Sequence, residues 1–175
     1  LTILFLFWTI THLVRRLLNK DFAEITVHQE ISILFAGVVG ALCFTFSDTF
    51  WFSAVEGEVY SMTSMFMALL VWLITKWENE YHDADNERWI ILIFFITGLS
   101  VGVHMMCMLA IPAVCLMYYA RNYEFSWKSF LLANVFTLVI LGVVFKGIFP
   151  LIMTLFGKME IFAVNGIGLP FHYGT

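Results

Sequence analysis

Long apolar blocks alternate with short polar connections along this chain, and the block lengths are those of membrane helices. The first block, Leu1 to Val14, is closed by Arg15, Arg16 and Lys20. It is shorter than the roughly 20 residues a span requires, so it reads as the end of a helix that starts upstream. It is not a signal peptide, because its basic residues follow the apolar run. The second block, Ile31 to Phe46, carries Gly37 and Gly40, which permit close approach of a neighbouring helix. The third, Val59 to Trp77, has membrane length. Trp72 and Trp77 lie towards its end, where amphipathic rings favour the interface.

The block from Trp89 to Tyr119 is apolar apart from His104. As one helix it would measure about 46 Å, against a hydrocarbon core of about 30 Å. Gly98, Gly102 and His104 mark a turning point, which predicts two short helices, Trp89 to Val103 and Met105 to Tyr119. With two crossings, the Arg15–Lys20, Lys76–Arg88 and Arg121–Lys128 connections share one side, as the positive-inside tendency favours. Asp48, Glu56, Glu58 and His104 then share the other, outer side. A further span, roughly Phe130 to Phe149, ends before Pro150, and Lys146 can snorkel to the interface. The expected organisation is a transmembrane helical region over 1–150, with about six membrane segments and the first truncated. Residues 151–175, Gly-rich and loop-like, form an outer-face interfacial segment. Both ends look cut, so the intact protein is expected to be longer.

Composition agrees with the pattern. Of 175 residues, 61% are hydrophobic and 13% charged, and the mean hydropathy is +0.89. A soluble domain carries about 25% charged residues, so the chain is an all-α polytopic membrane protein whose partner is the lipid bilayer. A net charge of −4 without a Lys/Arg cluster excludes a nucleic-acid partner. Cys43, Cys107 and Cys115 lie inside apolar runs and read as small hydrophobes. His12, His28, His82 and His172 are scattered, so a histidine-built metal site is not expected. Divalent-metal dependence stays open.

The candidate chemistry sits in SDTFWFSAVEGEVYS, Ser47 to Ser61. Carboxylates beside hydrocarbon are costly unless water, a partner or a ligand offsets them. Glu56 and Glu58 share a side only if the segment is extended. Glu58 stands where the next helix begins; it is either a stabiliser of that helix's positive end or a general base, metal ligand or substrate partner. Tyr60 would share a face with Glu56 if the helix starts early. Phe50, Trp51 and Phe52 are interfacial anchors or contacts for a sugar or prenyl chain. His104 is a helix-capping histidine or a phosphate-facing one. No Gly-rich phosphate loop or nucleophile elbow is present.

Three segments in order carry a resemblance: FWFSAVEGEVYSM at Phe50–Met62, GLSVGVHMMCMLAIPA at Gly98–Ala113 and NGIGLPFHYG at Asn165–Gly174. Together they resemble the bacterial integral-membrane family related to eukaryotic protein O-mannosyltransferases, of the GT-C glycosyltransferase superfamily. The resemblance implies a GT-C type helical bundle in the bacterial inner membrane, with the acidic loop facing outward. It implies transfer of a sugar, with inversion, from a polyprenyl-phosphate donor to a protein acceptor on the non-cytoplasmic face. It carries over Glu58 as the acidic catalytic group, with Glu56 assisting. His104 would meet the lipid phosphate. Asp48, Tyr60, Trp51 and Asn165 would contact substrate. GT-C enzymes also place a principal acidic motif in the first outer loop. This chain starts after that point, which implies that the fragment alone is inactive. Two other classes compete. A transporter or flippase requires a carboxylate buried within a helix. A non-catalytic scaffold requires that neutralising Glu56 and Glu58 change nothing.

Overall fold

The computed structural model describes residues 1–18, 25–80 and 87–171, and there the apolar blocks are helices. Lys20, His82 and His172 lie outside the described residues. The elements are α1 (Thr2–Leu18), α2 (Val27–Thr45), α3 (Asp48–Val55), α4 (Val59–Asn79) and α5 (Glu87–Val101). A 3₁₀ turn (Met105–Leu109) leads into α6 (Ala110–Asn122), and α7 (Trp127–Val143) and α8 (Phe149–Phe162) follow. No strand occurs among the described residues. Among the described residues, four stretches are long and apolar enough to cross a membrane: α2, α4, Met105–Asn122 and Trp127–Ile167. With Leu34, Phe35, Phe94, Phe95, Leu131 and Leu132 all exposed, the outward helix faces suit hydrocarbon, and the chain is an integral membrane protein.

The chain divides into two units, Leu1–Arg121 and Asn122–Thr175. In the first, α2 opens with a capping box: Thr26 and Gln29 satisfy each other's backbone N–H groups. α2 then lies against α1 through Gly37 and Gly40. A Cβ on Gly37 would stand 2.5 Å from Thr11 Cγ2, and one on Gly40 2.6 Å from Ile10 Cδ1. The close approach expected of these two glycines is therefore present.

α4 is the central helix. Leu70, Leu73, Ile74 and Trp77 pack with Ile93 of α5 and with Ala110 and Val114 of α6. Trp77 stands in the last turn of α4 but is covered there by protein, being 1% exposed. Arg121 supplies part of the cover. Its guanidinium lies 4.5 Å over the indole ring, and Nη1 donates to the Trp77 carbonyl at 3.2 Å. The cation thus stacks on the ring while occupying an acceptor in the last turns of α4. Trp72 is half-buried and packs on Phe5 and Trp8 of α1.

The Trp89–Tyr119 block breaks where Gly102 and His104 mark it, and Gly98 stays helical. α5 and α6 therefore form a broken hairpin beside α4. Arg16 pairs with Glu78, Arg88 with Glu80, and Arg121 with the Trp77 carbonyl. These contacts gather one end of the unit. Tyr60 and His104 meet at the other.

Glu80 accepts hydrogen bonds from Trp89 Nε1 at 2.5 Å and Arg88 Nη2 at 3.0 Å. The indole bond first, then the guanidinium, holds its carboxyl below the usual value of 4.5. A depressed folded value gives a contribution that is complete above the unfolded value and lost as pH falls through the folded one. Acidification from about pH 6 to about pH 3 should therefore lower the thermal midpoint of the wild type more than that of Glu80→Gln. Equal falls in the two would remove this role.

In the second unit, helix continues past Pro150 to Ile167, where a stop and a loop-like tail were expected. The reason is local. Pro150 occupies the first turn of α8, and wider π-type turns at Val144–Ile148 absorb its missing N–H donor. A second π segment, Ala163–Ile167, ends at Gly168 with φ 81°. Lys146 is exposed on the first of these turns.

Candidate functional site

The acidic connection is more ordered than a loop. DTFWFSAV has neither Gly nor Pro, and it forms the two-turn helix α3 with Asp48 at its start, where a carboxylate suits the helix dipole. Phe50 rests on Phe44 with ring centroids 4.6 Å apart. Trp51 and Phe52 are left exposed, at 55% and 64%. Glu56 closes α3 in helical backbone geometry (φ −65°, ψ −9°). Gly57 turns the chain with φ 68°. Glu58 then opens α4 in extended geometry (φ −89°, ψ 171°).

This run of three conformations decides two conditions that the sequence leaves open. Glu56 and Glu58 do not sit in one extended strand, because Gly57 reverses the backbone between them. Tyr60 does not share a helical face with Glu56, because α4 begins at Val59. Gly57, which sets the direction between the two acids, is a position that sequence reasoning passed over. A Gly between two acids at the edge of a helix was the available signal. A left-handed backbone costs a side-chain-bearing residue about 1–2 kcal/mol. Gly57→Val should therefore cut activity by re-aiming Glu58 while leaving helix content unchanged. Circular dichroism together with an activity assay would check this, and wild-type activity in the variant would count against it.

Glu58 occupies the N-cap position of α4, yet its side chain makes no capping hydrogen bond. It is exposed, as are Asp48 and Glu56. None of the ion pairs among the described residues involves these three acids. The capping account of Glu58 thus reduces to a favourable charge near a helix start. Its carboxylate oxygens stay available to accept a proton or a hydroxyl hydrogen bond.

Facing this corner is the break between α5 and α6. The N–H groups of Val103 and His104 fold back on the Ser100 carbonyl at 3.0 and 2.9 Å, which stops α5. His104 is extended (φ −161°, ψ 135°) and caps the following turn, with Nδ1 accepting from the Met106 N–H at 3.1 Å. An accepting Nδ1 places the proton of the neutral ring on Nε2, so that nitrogen is a donor for a further partner. The imidazole lies against Tyr60, with ring centroids 5.7 Å apart at 50°. One turn along α4, the fully buried Cys107 directs Sγ at the Thr63 carbonyl at 3.9 Å. Cys107 therefore pins the break to α4 as well as filling space. Cys115 is half-buried, and Cys43 is exposed rather than buried.

The structure brings His104 against Tyr60, which stands two residues after Glu58. Asn165 belongs to the second unit, exposed on its last π segment. Among the described residues no three His, Cys, Asp or Glu side chains gather as a metal site would need.

A sequence model of the protein O-mannosyl-transferase TMEM260 N-terminal domain matches residues 1–141. The chain belongs to this family. A relative from Dictyostelium discoideum, named protein O-mannosyl-transferase tmem260, is 25% identical over 132 residues. That alignment covers 69% of this chain and 16% of the relative, so the chain spans a minor part of the relative's length. The family is thus not confined to bacteria. No solved structure matches the chain. The matched stretch contains α1 to α6 and most of α7, and with them Asp48, Trp51, Glu56, Glu58, Tyr60 and His104. Asn165 falls outside it.

Proposed function

We propose that this chain forms part of a membrane glycosyltransferase that moves mannose from a polyprenyl-phosphate carrier to a protein Ser or Thr hydroxyl. The observation that carries the reading is the corner at the start of α4, where uncapped Glu58 stands two residues before Tyr60, whose ring lies against His104. The family match supports a glycosyltransferase, and the corner has the groups such a reaction needs. The acceptor hydroxyl gives its proton to the Glu58 carboxylate as its oxygen bonds to the anomeric carbon. The bond from that carbon to the phosphate oxygen breaks, its electron pair leaves on the polyprenyl phosphate, and the configuration inverts. His104 Nε2–H meets the phosphate. Asp48, Glu56, Trp51 and Tyr60 border the sugar and the acceptor.

The membrane orientation follows from charge. Arg15, Arg16, Lys76, Arg88 and Arg121 mark the cytoplasmic end, and the Glu58 corner is non-cytoplasmic. A polyprenyl donor requires hydrocarbon on one side of its site and water on the other, which the exposed Trp51 and Phe52 suit. Trp127–Ile167 spans 41 residues, about 60 Å at 1.5 Å per residue. Its last part, together with Asn165, therefore extends into the outer interface. Transport is disfavoured because the acids stand at helix ends rather than within a helix.

The test is the donor. Membranes containing the full-length protein should move radiolabelled mannose onto a Ser/Thr acceptor from polyprenyl-phosphate mannose and not from nucleotide-activated mannose. Transfer directly from the nucleotide sugar would overturn the reading.

A further inference from the structure

A second site lies at the opposite end of the first unit. A cavity of about 610 Å³ opens between α1, α2 and α4. One wall is apolar, formed by Phe7, Trp8, Ile33 and Leu34, and the other carries Arg15, Lys76, Asn79 and His12. Its size is that of a small-molecule cleft.

Its histidine is only half satisfied. Asn79 Nδ2 donates to His12 Nδ1 at 3.0 Å, which leaves the ring proton on Nε2. That nitrogen is enclosed and has no hydrogen-bond partner. An enclosed donor without an acceptor is disfavoured, but this nitrogen is shut off from the cavity, so His12 contributes its ring as wall and the charge comes from Arg15 and Lys76. The cations beside it differ. Arg15 stands 3.7 Å from Glu30. Lys76 Nζ lies 5.9 Å from the Trp72 ring centroid, held by the aromatic face. Among the described residues lining the cavity, Arg15 and Lys76 against Glu30 leave one net positive charge.

We propose that this cavity binds an anionic phospholipid, with its phosphate between Lys76 and Arg15 and an acyl chain along Phe7, Trp8 and Leu34. The apolar wall selects a lipid over a free anion. Trp8 and Leu34 remain 38% and 54% exposed, so the cavity runs out onto a hydrocarbon-type helix face. Basic interhelical pockets at the cytoplasmic side of membrane proteins recognise such head groups. The site is independent of the Glu58 corner, and a tightly held lipid there would brace α1 and α2 against α4.

Native mass spectrometry of the detergent-purified chain, offered phosphatidylglycerol or phosphatidylcholine, tests this. Phosphatidylglycerol should be retained in clear preference. Lys76→Gln should weaken its retention about fivefold, the effect of one cation near a head group. Lys76→Arg should keep it, and Arg88→Gln, an equal charge change away from the cavity, should not alter it. Inorganic phosphate should not displace the lipid. Equal retention of the two lipids, loss in Lys76→Arg, equal weakening by Arg88→Gln, or displacement by phosphate would each overturn the proposal.

Discussion

Replacing Glu58 by Gln is expected to lower mannose transfer by about two orders of magnitude, within the range that a positioned general base contributes. The substitution keeps the size and shape of the side chain. It removes the charge and the ability to take a proton. Because the Glu58 side chain caps nothing in α4, helix content and membrane level should be unchanged. The loss would then belong to chemistry rather than folding. Glu56→Gln should have a smaller effect, since Gly57 turns the backbone between the two acids and leaves Glu56 at the end of α3. Transfer rates at matched protein levels decide the matter. Full activity in Glu58→Gln would reduce Glu58 to a helix-start charge and place the base elsewhere in the protein.

Gly37→Leu is expected to give the largest loss of stability. A Cβ there would stand 2.5 Å from Thr11 Cγ2 and 2.8 Å from the Phe7 ring. Phe7 can swing aside, but Thr11 is β-branched, and its hydroxyl is held on the Phe7 and Trp8 carbonyls, at 3.0 Å each. Relief therefore requires α1 and α2 to separate. Overpacking of this kind costs about 1–3 kcal/mol, and loss of the helix contact adds to it. Gly98→Leu is the matched control. Nothing stands within 4 Å of its Cβ position, and a leucine suits a helix better than glycine does. The thermal midpoint in detergent should fall clearly for Gly37→Leu and not for Gly98→Leu. Similar midpoints for the two variants would refute the close α1–α2 approach.

Much of the helix layout was legible because hydrocarbon imposes simple rules. A block must be about 20 apolar residues long, and an overlong block must break or tilt. Those rules located the α5–α6 break at Gly102 and His104, and hence the grouping of Arg16, Arg88 and Arg121 at one end. Local geometry was less legible. α3 was hidden because a two-turn helix in a connection has no length signature. The left-handed Gly57 was hidden because glycine can adopt many backbone conformations, and the letter alone does not say which. The burial of Trp77 was hidden because a cation distant in sequence, Arg121, covers its ring. Pro150 failed to end its helix because π-type turns can absorb a missing donor, a solution that depends on context. At the candidate site, the acids were visible from their cost in a membrane. The contact of His104 with Tyr60 was not, since it depends on how the broken hairpin returns beside α4.

The most direct measurement is photo-crosslinking of a polyprenyl-phosphate analogue, with its photoreactive group beside the phosphate, to the protein in native membranes. Labelled peptides would be mapped with and without competing polyprenyl-phosphate mannose. Labelling that falls on the Tyr60 and His104–Met106 peptides and disappears on competition is the predicted result. Labelling confined to other parts of the protein, or undiminished by the mannosyl donor, would contradict a donor site at the start of α4.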